Sequence, residues 1–322
     1  MLNVFITIDT EAWPSKNWRE AGLQPDFDLD VYGKTSDGEF GVGYQMDVLD
    51  AHQLKAVFFI EALSAPIVGM DRLRQLVQFI QGRGHEVQLH VHSEWLEWLN
   101  PSPLPGRTGQ NLKDFSLDEQ ARLVAAGLGN LQACGATDVC AFRAGNYGAN
   151  LDTLAALARH GIRYDTSHNT CYLESDCGMK DAGILLQPKQ INGVCEIPIS
   201  FFEDWPGHYR HAQLCACSAA EMENALMQAW RAGWFSFVLV SHGFELIRDR
   251  KHPLRPARSD STVVRRFHRV CEFLNHNRDK FRTSGFSDLD PAAIPHIDAA
   301  RPLRSRIGRT VKRVGEQLLR RI

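Results

Sequence analysis

What the chain of 322 residues lacks sets its bounds. No apolar run approaches the roughly 18 residues that read as a membrane-spanning helix, so spanning is not expected. No signal-type leader precedes the first apolar run, so secretion is not expected either and a cytoplasmic setting is. There are eight cysteines but no CxxC spacing, and Cys134, Cys140, Cys195 and Cys271 sit in apolar segments. They read as reduced thiols rather than a disulfide framework. No Ser/Gly-rich linker and no internal repeat interrupts the chain, and 44% of its residues are hydrophobic, enough for one barrel-sized domain with a sizeable core. The net charge is only −2 and the body of the chain has no basic face in sequence, so nucleic acid is not an expected partner.

What is present is a set of strand-like apolar runs that end in chemistry. The first is Leu2 to Ile8, closed by Asp9-Thr10-Glu11. A near-continuous apolar run reads as a buried parallel strand, and its period of two puts Asp9 and Glu11 on one side at the C-terminal end. Two carboxylates placed there call for a cation or proton between them. The second is GHEVQLHVHSEW at 84–95, which delivers His90, His92 and Glu94. Imidazole and carboxylate are the usual ligands of a hydrolytic divalent ion. His90 and Glu94 share a face if a helix begins there, whereas His90 and His92 do if the strand continues.

Three further patches follow. CAFRAGNYGAN at 140–150 carries Arg143 into a glycine-containing turn, and an always-charged Arg at a strand end can fix a carboxylate in position. GIRYDTSHN at 161–169 ends in Asp165, Ser167 and His168, and WFSFVLVSHGFEL at 234–246 delivers His242. Strand-like runs near 2–8, 55–60, 86–91, 138–142, 162–164, 194–199 and 235–241 alternate with helix-like stretches near 71–83, 117–134, 151–160, 219–232 and 262–277. That alternation predicts an α/β fold, an irregular parallel (β/α) barrel. The stretches 14–40 and 100–111 read as long loops walling the strand ends, with Trp13, Trp18, Trp95, Trp98 and Trp205 nearby as candidate sugar platforms.

In order, these five patches resemble the motifs of the polysaccharide deacetylases, the NodB-homology carbohydrate esterases, over roughly residues 1–290. The first motif is spelled with Thr10 between its acids, the second has Glu94 where a second His is usual, and the last has Val240 in place of Leu. This spelling looks like the branch linked to bacterial lipopolysaccharide and surface-glycan loci. The resemblance implies a metal-dependent N-deacetylase of a glycan. A divalent ion, zinc by preference, would be held by Glu11, His90 and either Glu94 or His92. Asp9 would be the base, positioned by Arg143, and His242 the acid, oriented and charged by Asp165. Backbone near Asn146 or Tyr147 would hold the oxyanion, and Trp95 would contact the sugar. A related hydrolase of small-metabolite C–N bonds and an inactive glycan binder are the alternatives.

Residues 291–322 form a separate expectation. From Arg301 onward there are eight basic residues against one acid, Glu316, and Leu303, Ile307, Val311, Val314 and Leu318 recur at three or four residues. This is an amphipathic basic helix, suited either to an anionic membrane surface or to docking on the barrel.

Overall fold

The structure is a computed structural model that describes residues 1–14, 25–252, 255–297 and 301–321. Trp18 and part of the 14–40 loop lie outside the described residues. In chain order the elements are β1 (Leu2–Thr10), α1 (Val42–Ala51), β2 (Val57–Glu61), α2 (Met70–Gly82), β3 (Glu86–Val91) and α3 (Leu117–Ala133). There follow β4 (Ala141–Ala144), α4 (Leu151–Arg159), β5 (Tyr164–Asp165), β6 (Lys189–Ile191), β7 (Val194–Glu196), β8 (Phe201–Trp205) and β9 (His208–His211). The chain ends with α5 (Ala219–Arg231), β10 (Ser236–His242), α6 (Ser261–His276), β11 (Phe281–Thr283), β12 (Leu303–Arg304) and α7 (Ile307–Arg321). Helices α3, α4 and α5 each start on a capping box, from Ser116, Asn150 and Ser218, which satisfies amide groups left open at a helix start.

The main sheet runs β10-β1-β2-β3-β4-β5-β7-β6, with β11 joining the start of β1. All its pairings are parallel except β6 with β7. It curls into an irregular barrel. The gap between β7 and β10 is bridged by the segments flanking β8 and β9: Ile197 N–H donates to the Asp165 carbonyl, Ser200 N–H to Val238, and Val240 N–H to Ala212.

Continuous apolar runs follow from burial on both faces. Outward residues such as Val4, Ile6, Ile8, Leu89, Phe142 and Leu239 pack beneath the helices. Inward ones, among them Phe5, Val57, Phe59, Tyr164, Val238 and Val240, fill the barrel around Phe286. The Phe286 ring lies 4.8 Å from Phe5 and 5.7 Å from Phe59, closing the bottom of the barrel. The strand ends therefore open only at the top, where the inward positions turn polar.

Helix α1 and the β8–β9 hairpin have no counterpart in the sequence reading. The tail also differs in detail. Leu303 leaves the apolar stripe to become a buried residue of β12, paired with Phe202 of β8. Helix α7 docks by its polar side: Arg313 is buried and pairs with Asp204 at 2.7 Å and Glu221 at 3.1 Å, while the Thr310 hydroxyl donates to the Asp204 carbonyl. Ile307, Val311, Val314 and Leu318 face outward, between 44% and 61% exposed. Among the described residues no helix is long and apolar enough to cross a membrane.

Candidate active site

Inward parity assembles the site. On β1 the inward series Phe5, Thr7, Asp9 continues into Glu11; on β3 it is Gln88, His90, then His92; β4 contributes Arg143 and β10 ends on His242. The register sets Asp9 opposite His242 and His90 opposite Arg143, so four strands place their functional groups in one layer. A cavity of about 240 Å³ opens there, lined by Asp9, Glu11, His90, His92, Ala144, Asn146, Tyr147, Tyr172, Asp176, Gln213 and His242.

Arg143 is fully buried, and its Nη1 donates to Asp9 Oδ1 at 2.6 Å. Its Nε donates to the Thr166 carbonyl, and the guanidinium lies over the Phe59 ring at 4.5 Å, so its orientation is fixed on three sides. Asp9 Oδ2 stands 4.0 Å from His242 Nε2. One oxygen of Asp9 is thus anchored while the other faces His242 across the cavity.

Glu11, His90 and His92 bring one ligand atom each within 4.8 Å of one another, all three residues buried. His90 Nδ1 lies 2.8 Å from the Arg143 carbonyl, which can only accept, so Nδ1 carries the proton. In the neutral ring Nε2 then presents a lone pair toward Glu11 Oε2 at 3.3 Å. Two lone pairs facing each other in a buried site call for a cation between them. His92 Nε2 lies 2.7 Å from the same Glu11 oxygen, and its Nδ1 is 3.1 Å from Glu94 Oε2. Burial works against the charge on Glu11, but His92 and His90 hold its carboxyl well below the usual range; burial likewise opposes charge on His92, yet Glu11 and Glu94 hold its imidazole well above its ordinary value. The donor set fits a divalent cation of the type that takes imidazole and carboxylate ligands.

The geometry distinguishes His92 from Glu94. Beyond β3 the chain stays extended through His92 before a short 3₁₀ turn at Ser93–Glu97, so His92 and not Glu94 shares the inward face with His90. Glu94 stands behind, held by Asn146 Nδ2 at 2.7 Å. Gly145 permits this packing, because a Cβ there would meet the His92 ring at 2.5 Å. The next two residues, Asn146 and Tyr147, adopt φ of 55° and 57°, a left-handed conformation rare outside glycine. Both residues line the cavity.

Two sequence expectations are corrected. Asp165 is not brought to His242. It sits opposite Phe142 on an outward-facing position of the barrel, fully buried, bonded to Ser167 and set opposite Glu196 of β7 in register. Counting strand ends finds Asp165, but only the parity of the short β5 shows which way it points. Trp95 is also fully buried, stacked under Trp13 at 5.7 Å, and presents no face to a ligand. Trp13 lies edge-on to His92 at 4.7 Å.

The partner of His242 is Glu245. Its Oε2 lies 3.6 Å from His242 Nδ1, and its Oε1 accepts from Gln213 Nε2 at 3.0 Å and from the Cys215 amide at 2.9 Å. Burial disfavours charge on His242, but Glu245, Asp9 and Glu11 outweigh it and raise the imidazole to about 9. Burial also opposes charge on Glu245, and His242 with Cys215 lowers it to about 2. Gln213 and Glu245 carried no strand-end signal; the spacing of three residues between His242 and Glu245 was the available clue.

No family model matches the chain, and no curated protein does. Solved structures do. The chain resembles a Mycobacterium smegmatis protein described as a polysaccharide deacetylase, with a TM-score of 0.58 and 17% identity over 94% of each chain. It resembles PuuE allantoinase at a TM-score of 0.52 and 11% identity, over 89% of this chain and 88% of that one. A family 4 carbohydrate esterase from Streptomyces lividans, solved with acetate, aligns at 0.43 and 10% over 90% and 94%. The fold is the irregular (β/α) barrel of the polysaccharide deacetylase type.

Proposed function

We propose that this protein is a metal-dependent N-deacetylase of an N-acylated glycan. The observation that carries the proposal is the convergence of Glu11, His90 and His92 beside the Arg143-anchored Asp9, with His242 across the same cavity. A divalent ion held by those three residues, zinc being the one such ligands suit, would supply Lewis acidity to the acyl carbonyl and acidify water. Asp9, with its free Oδ2, takes the proton from the attacking water. In this reading the backbone amides of Asn146 and Tyr147, two residues that line the cavity, hold the developing oxyanion. His242, kept charged by Glu245, donates its proton to the departing amine, so the products are a carboxylate and a free amino sugar.

The outward stripe of α7 supports a substrate at a membrane surface. Four exposed apolar residues lie on one side of a helix preceded by exposed Arg301, Arg304 and Arg306. Such a face binds anionic lipid by both apolar and electrostatic terms, which suits a lipid-linked glycan at the cytoplasmic face of the membrane. The second reading, hydrolysis of a C–N bond in a small metabolite, is favoured by the likeness in fold to an allantoinase. Assay of acetate release from N-acetylated oligosaccharides against ammonia or amine release from small ureides and amides separates the two. Acetate release that depends on metal supports the glycan reading.

A further inference from the structure

Away from the active site, a cavity of about 440 Å³ lies between the first turns of α5 and α6 and one flank of α7. Its walls carry Arg248, Arg265, Arg266, Arg269, Arg309 and Lys312, with Glu316 as the lining acid. Some of that charge is neutralised locally: Arg266 reaches Glu316 at 3.0 Å and Arg269 pairs with Glu223 at 2.6 Å. Arg248 also lies 3.5 Å from Asp249, whereas Arg265, Arg309 and Lys312 make no ion pair among the described residues. Arg266 is 4% exposed, yet among the described residues its Nε has no hydrogen-bond partner, and Nη1 of Arg309 is likewise buried and unpartnered among them. Buried guanidinium N–H groups left open cost free energy that a matching acceptor would recover. The helix starts at Ser218–Ala220 and Ser261–Thr262 add the positive ends of two helix dipoles.

We propose that this cavity binds a phosphate-bearing anion. Guanidinium groups give planar, charge-assisted donor pairs that match phosphate oxygens, and a concave basic wall favours a compact tetrahedral anion over an extended acidic peptide. At 3.6 residues per turn, Arg309, Lys312 and Glu316 lie about 140° to 200° around α7 from Ile307, opposite the apolar stripe. The cavity and the stripe are therefore separate features, and the site stands independently of the hydrolase reading. It is joined to the catalytic machinery through one residue: Arg266 Nη1 donates to the Cys215 carbonyl at 2.9 Å, and the Cys215 amide donates to Glu245.

Calorimetric titration of the metal-loaded protein with inorganic phosphate at low salt tests the site. One anion per chain is expected, with affinity falling as ionic strength rises. Arg309→Gln and Arg265→Gln, at partly or fully accessible positions, should each weaken it at least tenfold, with thermal melting unchanged by either substitution. Competition then distinguishes the source of the phosphate. Vesicles of phosphatidate that displace inorganic phosphate identify a lipid headgroup, and vesicles that leave it bound identify a soluble phosphorylated compound. Absence of saturable binding, or binding that both variants retain at full strength, overturns the proposal; the latter result would place the phosphate at the Glu11–His90–His92 site instead.

Discussion

Glu245 Oε2 and His242 Nδ1 stand 3.6 Å apart, the carboxylate buried and the imidazole half-buried, and this pair decides the charge on the imidazole that faces Asp9. Burial alone would favour the neutral ring; Glu245 reverses that and raises it to about 9. In the acid role proposed for it, His242 would work only while protonated, so kcat/KM should fall as pH rises through about 9. Glu245→Gln removes the largest charge that opposes desolvation, and the falling limb should move down toward or below the ordinary histidine value of about 6.5. A pH–rate profile of the two proteins checks this. An unmoved limb would remove Glu245 from the role.

Asp165→Asn provides the contrast. Its carboxyl and that of Glu196 are fully buried together on the outward side of the barrel, and burial pushes both upward, Glu196 well above the usual range. A raised carboxyl binds its proton more tightly when folded, so its stabilising contribution is complete below the unfolded value and is lost as pH rises through the folded one. Glu196→Gln should therefore flatten the decline of stability toward alkaline pH, measured by denaturant unfolding at several pH values. Neither substitution should move the basic limb of kcat/KM.

Gly145→Ala should act on the metal rather than on the fold. The added methyl would meet the His92 ring at 2.5 Å, and the ring must turn away from Glu11 to admit it. Losing the orientation of one ligand typically costs about 10- to 100-fold in metal affinity. Metal titration in a competing chelator reads the change directly, and unchanged affinity would show that His92 is not a ligand.

Arg143→Met leaves Asp9 buried without its partner. Breaking a buried ion pair from one side costs about 3–5 kcal/mol, so the melting temperature should drop sharply along with activity. Asp9→Asn keeps the hydrogen bond from Arg143 in neutral form and should abolish turnover while metal content persists.

The face of α7 can be tested without truncation, which would strand Asp204 and Glu221 without Arg313. Replacing Ile307, Val311 and Leu318 together by Ser should change stability by no more than about 0.5 kcal/mol per site, because these are surface positions. Binding to anionic vesicles should fall severalfold in a flotation assay. Equal flotation of both proteins would mean that the stripe does not bind lipid.

Much of this architecture was legible in sequence because buried parallel strands write themselves as apolar runs, and because their C-terminal ends collect chemistry. Asp9, Glu11, His90, Arg143 and His242 each follow such a run. The choice between His92 and Glu94 depended on whether the chain stayed extended for one more residue after β3, which periodicity over so few positions does not resolve. Asp165 illustrates the same limit in reverse, since a strand of two residues carries no readable alternation. Trp95 follows a strand end in sequence, whereas its burial comes from stacking under Trp13, a contact between distant segments. In the tail, the apolar stripe was visible but not the side that docks, because Arg313 is buried by two acids, Asp204 and Glu221, far away in the chain.

The assignment of Asp9, Glu11, His90 and His92 is tested most sharply by acetate release from an N-acetylated oligosaccharide by protein that has been stripped of metal and then reloaded. Release should vanish on stripping, return on addition of a divalent ion, and stay absent in reloaded Asp9→Asn despite full metal content. Undiminished release from the stripped protein, or from Asp9→Asn, would contradict the roles given to these four residues.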